Sequence, residues 1–82
     1  MKAIYKLPLV LEPQPEGGYT VRCPILPELI TEGDTVKEAM ANASDALTAI
    51  IEAYEDLERP LPVTLKRLTA NEPIAVEALV PV

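Results

Sequence analysis

Between residues 35 and 60 the chain carries one uninterrupted helical pattern, and everything else must fold around it. Val36, Met40, Ala43, Leu47, Ile50, Tyr54 and Leu57 recur in alternating steps of four and three. That spacing puts them on one side of an α-helix. Ala39, Ala46 and Ile51 widen the stripe to the width of a core-facing surface. Thr35-Val36-Lys37-Glu38 forms a capping box, in which the threonine oxygen accepts from the N–H of Glu38 and the glutamate reaches back. Pro60 and Pro62 stop the helix. The heptad-like spacing also suits a coiled coil, but three heptads flanked by strands favour one helix packed on a sheet. A chain of 82 residues has material for one core, so residues 1–82 are expected to form a single domain.

The flanking segments supply the sheet. Residues 3–11 (AIYKLPLVL) are β-rich, with Pro8 confined to an edge or a bulge because it lacks an amide hydrogen. Residues 12–18 (EPQPEGG) form a turn ending in two glycines. In residues 19–23, Tyr19, Val21 and Cys23 alternate with Thr20 and Arg22, which predicts a half-buried strand and an antiparallel hairpin. Residues 28–32 (ELITE) predict a short third strand stopped by Gly33 and Asp34, residues 63–68 a helical turn or connector, and residues 69–73 a loop. Residues 74–80 (IAVEALV) predict a last strand, with Ile74, Val76, Ala78 and Val80 on one face and Ala75, Glu77 and Leu79 on the other. A strand so apolar needs cover on both faces, and a second subunit is expected to supply the second. The fold class is therefore α+β, a mostly antiparallel sheet of order β-β-β-α-β with one amphipathic helix on one face.

Charge and cysteine usage narrow the function. Thirteen acidic against seven basic residues give a net charge of −6. A phosphate backbone is repelled by that balance, and Lys66-Arg67 alone is too small a patch to hold one. Direct binding of nucleic acid is not expected; a basic protein partner fits better. Cys23, the one cysteine in a chain without histidine, can make neither an internal disulfide nor a zinc site. No cofactor or metal is expected, the reducing cytoplasm is the expected compartment, and no membrane span or signal peptide is expected. Without disulfide or metal, so small a core is expected to gain buried area by homo-oligomerisation.

Several short motifs resemble a known family by their order and spacing over residues 3–62. They are Gly17-Gly18-Tyr19 opening a strand, Pro24-Ile25-Leu26-Pro27, and Gly33-Asp34-Thr35 leading into a helix with Glu38-Ala39 and Ala43-x-x-Ala46-Leu47. This arrangement is similar to the HicB antitoxins, whose N-terminal domain is a partial RNase H-like fold. Ile25, Glu28 and Leu29 depart from the family's usual residues between and after the prolines. The resemblance implies an antitoxin that neutralises a HicA-type toxin, a small basic RNA-cleaving protein, by covering its active surface. The alternative is an orphan HicB-like scaffold or regulator without a toxin. Many HicB proteins continue into a DNA-binding domain; ten residues after Glu72 leave no room for one here, so operator binding is not expected.

Catalysis is not expected. RNase H chemistry needs carboxylates converging on two metal ions, and the predicted strands offer Glu32 at an edge and Glu77 near the end, while most other acids lie on the helix or in loops. No histidine can serve as a base, and Cys23 has nothing to activate it. The acids concentrate instead between residues 34 and 58: Asp34, Glu38, Asp45, Glu52, Glu55, Asp56 and Glu58, against Lys37. Glu38, Asp45 and Glu52 recur every seven residues and share a helix face. Together with Glu55 and Asp56 they are the candidate residues for meeting a basic partner; the plainer reading is a solvated face that keeps the protein soluble.

Overall fold

Pro8 decides how the N-terminal segment folds. The computed structural model describes residues 4–63, 65–68, 71, 73–75, 77–78 and 80. In it the single strand expected over residues 3–11 is divided into β1 (Ile4–Lys6) and β2 (Val10–Pro13). Ala3 lies outside the described residues. The remaining elements are β3 (Tyr19–Arg22), β4 (Ile30–Gly33), α1 (Val36–Asp56) and β5 (Lys66–Leu68). The α+β class and antiparallel pairing hold, but the break at Pro8 turns one expected strand into two that join different sheets.

The three-stranded sheet runs β2-β3-β4, antiparallel throughout. Its register sets Val21 between Leu11 and Thr31, and Arg22 between Val10 and Ile30. The expected β2–β3 hairpin forms, closed by Gly17 N–H to Gln14 O and Gln14 N–H to Gly18 O, each at 3.0 Å. Gly17 and Gly18 take φ of +105° and +78°, a region in which a side chain is costly. The third strand begins later than residues 28–32 suggested. Two turns precede it, with Leu26 N–H bonded to Cys23 O and Leu29 N–H to Leu26 O. They drive Leu26 and Leu29 into the core, where each is 1% exposed or less. Burial of that kind stabilises by roughly 1.5–3 kcal/mol per side chain.

Helix α1 lies across the inner face of this sheet, against β4 and β3. Its cap forms: Thr35 Oγ1 accepts from Glu38 N–H at 3.1 Å, and Glu38 Oε1 accepts from Asp34 N–H at 3.2 Å. The glutamate thus reaches one residue beyond the cap itself. The core comprises Val21, Cys23, Leu26, Leu29, Ala39 and Ala43, with Leu7, Leu9, Leu11, Tyr19, Ile25, Ala46, Leu47 and Ile50 packed on it. The buried stripe is therefore centred on the alanines. Met40 and Leu57, expected in it, are exposed, Leu57 standing at the C-cap beyond the last helical residue. The small residues let the helix settle almost onto the β4 backbone. A Cβ on Gly33 would stand 2.4 Å from the amide nitrogen of Ala39.

The expected last strand is corrected. The described residues between 73 and 80 form no strand, and Ile74 and Val80 are 54% and 71% exposed. Val76 and Leu79 lie outside the described residues, and with them the expected subunit contact through Leu79. The closing strand is β5, in the stretch expected to be a turn or connector. It pairs antiparallel with β1, Ile4 opposite Leu68 and Tyr5 opposite Arg67. Strand formation went to the segment that meets a partner edge, not to the most apolar one.

Candidate partner-binding surface

The acidic face of α1 follows from the packing of its opposite side. With Ala39, Ala43 and Ala46 turned to the sheet, Asp45, Glu52 and Asp56 fall on the far side, and all three are exposed. Glu55 is exposed next to them in the last turn. Glu38 lies at the opposite end of the same stripe, but its carboxylate is engaged in the cap. Four of the five candidate residues thus form a carboxylate stripe over the middle and C-terminal end of the helix, and the fifth belongs first to helix initiation.

That placement is electrostatically unfavourable within the chain. The C-terminal end of a helix carries partial negative charge and favours cations, at about 0.3–1 kcal/mol each. The last turn of α1 holds no basic residue, and Glu52, Glu55, Asp56 and Glu58 gather there. The chain passes out of the helix through Glu58 at φ +54°. Glu58 N–H bonds to Glu55 O, and Arg59 N–H to Tyr54 O, the paired bonds of a Schellman motif. The Arg59 guanidinium then lies 5.6 Å over the Tyr54 ring. The Tyr54 hydroxyl donates to Glu28, on the loop leading to β4. This bond holds the Glu28 carboxyl below its usual range and raises the Tyr54 hydroxyl above its own.

A second surface was not anticipated from the sequence. The outer face of the β2-β3-β4 sheet, away from α1, presents one row of Val10, Arg22 and Ile30 and a neighbouring row of Glu12, Thr20 and Glu32. Val10 and Ile30 are 46% and 60% exposed. Arg22 Nε bonds to Glu12 Oε1 at 2.8 Å across the strands. Pro24 and Pro27 border a shallow open hollow at the end of the first row, with Cys23 and Leu29 beneath it. The alternation of Thr20 and Arg22 with Tyr19, Val21 and Cys23 was the available signal. What it lacked was the register that brings Val10 and Ile30 to either side of Arg22. Among the described residues no three potential metal-ligating side chains converge, and no helix is long and apolar enough to cross a membrane.

Comparison with known proteins names the family. Residues 6–81 match the family described as the HicB-like antitoxin of bacterial toxin–antitoxin systems. The chain belongs to the HicB-like antitoxin family. It is 43% identical over 77 residues to "Antitoxin HicB 1" of Photorhabdus laumondii, covering 92% of this chain and 50% of that one. It is 48% identical over 62 residues to "Antitoxin HicB" of Escherichia coli K12, covering 73% of this chain and 45% of that one. The chain thus spans about half the length of these two HicB-like relatives. It spans 85% of a Synechocystis protein named UPF0150 protein ssl0738, at 40% identity over 63 residues, or 76% of this chain.

Proposed function

We propose that this chain is a non-catalytic, cytoplasmic antitoxin. It forms one HicB-like domain and neutralises a HicA-type ribonuclease by covering the surface with which that toxin binds RNA. Family membership supports the antitoxin role. The observation that carries the mode of binding is the carboxylate stripe of Asp45, Glu52, Glu55 and Asp56, whose last two members stand in the final turn, where the macrodipole opposes them. A chain selected for stability alone would hold bases there. A stripe that meets the positive surface of an RNA-binding protein repays that cost by steering encounter and excluding wrong partners. Net charge of the same sign as RNA means the chain competes for the toxin and does not bind the nucleic acid itself.

The test starts from the neighbouring gene, which on this reading is a short reading frame encoding a basic protein. Co-expression should relieve its growth arrest, and the two proteins should co-purify. Asp45→Lys, Glu52→Lys and Asp56→Lys together should slow association about tenfold and flatten its salt dependence. Unchanged association kinetics in a folded triple variant would remove the stripe from the interface.

A second reading, an orphan oligomeric regulator without a toxin, is favoured by one observation. The chain covers most of a relative whose name carries no antitoxin assignment. Absence of a basic neighbouring reading frame, with no growth defect on deleting this gene, would favour it.

A further inference from the structure

We infer that the outer face of the β2-β3-β4 sheet is the surface on which a second copy of this chain packs, giving a two-fold dimer with the sheets inside and the helices outside. The inference is independent of whether a toxin exists. Two features of the face select a copy of itself as the occupant.

The first is self-complementary charge. The row Val10, Arg22, Ile30 lies beside the row Glu12, Thr20, Glu32. A two-fold axis running across the strands, between these rows, lays each row over the other row of the partner copy. Arg22 of each copy then sits above Thr20 of the other, between that copy's two carboxylates, Glu12 and Glu32. One cation facing two acids, made twice by symmetry, suits an isologous contact. Val10 and Ile30 pack on the aliphatic stems of the same glutamates, and Pro24 and Pro27 extend the apolar rim. Within one chain, among the described residues, Arg22 pairs with Glu12; the dimer adds Glu32 to its partners.

The second is where the remaining charge goes. Each copy carries a net −6, so a dimer forms only through a surface that keeps the acidic stripes apart. The stripe of Asp45, Glu52 and Asp56 lies on the side of α1 remote from the sheet. Packing outer face to outer face sets the sheets about 10 Å apart with a helix layer beyond each. The two stripes are then separated by several screening lengths of about 8 Å. Both remain open to solvent, so the dimer presents two identical acidic faces, one on each side. The hollow bordered by the two prolines and the exposed Val10 and Ile30 lose their contact with water. The face is small for a specific interface, which sets the expected affinity in the micromolar range or weaker.

Sedimentation velocity on the whole chain tests this. Wild-type protein should convert from monomer to dimer between about 1 and 500 µM, the range that suits so small an interface. Arg22→Glu places acid over acid and should weaken association at least tenfold, as should Glu12→Arg with Glu32→Arg, which places base over base. Mixed one to one, these two variants should dimerise with each other, because every cross-copy contact is again between opposite charges. Circular dichroism of each variant checks that it is folded, which the exposure of all three side chains favours. A wild-type chain that stays monomeric at 500 µM overturns the inference. So does a dimer indifferent to Arg22→Glu, which assigns association to a strand edge or to the segment after β5. Variants that weaken self-association but fail to pair with each other overturn the symmetric register.

Discussion

The Tyr54 hydroxyl hydrogen-bonds the Glu28 carboxylate, joining the C-terminal end of the helix to the loop that feeds β4. The bond lowers the pKa of Glu28 and raises that of Tyr54, so it should be visible as pH-dependent stability at both ends of the scale. For Glu28, whose folded value lies below the ordinary 4.5, the contribution is present above 4.5 and is lost as pH falls through the depressed value. For Tyr54, whose folded value lies above the ordinary 10.0, it is present below 10.0 and is lost as pH rises through the raised value. Tyr54→Phe should flatten both limbs of a curve of thermal midpoint against pH. Because both groups face solvent, the amplitudes should be small. An unchanged acid limb in the variant would show that the bond does not persist in solution.

The helix approaches the sheet closely at Gly33, where any Cβ would collide with the amide nitrogen and Cα of Ala39 at 2.4 and 2.6 Å. Those atoms are backbone and cannot rotate away. Gly33→Ala must therefore lift the first turns of α1 from β4, opening the core around Ala39 and Ala43. We expect a loss of about 3 kcal/mol, the upper range for overpacking, read as a lower urea midpoint with unchanged slope. A loss under about 1 kcal/mol would mean the helix tilts freely at this point.

How much of this was legible depended on whether the determining contact was local. Helix α1, its threonine cap and the Gly17-Gly18 hairpin rest on residues within a few positions of each other, and all three form as the sequence indicated. The closing strand rests on a pairing between opposite ends of the chain. Lys66-Arg67-Leu68 carries no alternation to announce it and becomes a strand because β1 supplies an edge. The apolar run after residue 73 carried the stronger local signal, but its described residues form no strand. The same distinction holds for the candidate surfaces. The carboxylate stripe needs only helical periodicity. The face around Arg22 needs the register of three strands, which no single segment contains.

Glu58 takes a left-handed conformation as α1 ends, at φ +54°. Glycine at that position gives up the strain of a side chain there, roughly 1–2 kcal/mol, against an added cost in the unfolded chain of about 0.4–1 kcal/mol. It also removes a carboxylate from the negative end of the helix. Glu58→Gly should stabilise the protein by about 0.5–1 kcal/mol, measured as a higher thermal midpoint. Glu58→Ala separates the two contributions, since it removes the charge but keeps the Cβ. Should alanine stabilise as much as glycine, the charge and not the backbone carries the effect.

The acidic end of α1 makes opposite demands on folding and on binding, and that opposition can be measured. Glu55 and Asp56 lie exposed in the last turn, which holds no basic residue. Replacing both with lysine turns two unfavourable dipole interactions into two favourable ones, each worth about 0.3–1 kcal/mol at low salt. It also relieves repulsion from Glu52 and Glu58. Glu55→Lys with Asp56→Lys should therefore raise the thermal midpoint by several degrees, since about 1 kcal/mol shifts a domain of this size by roughly 4–8 °C. The gain should shrink as salt rises from about 20 mM to 500 mM, because screening acts on every part of it. If these acids serve a basic partner, the same variant should bind that partner more weakly while being the more stable protein. A double variant no more stable than wild type at low salt would mean the acids are already balanced where they stand, which would remove the energetic reason for treating them as a binding feature.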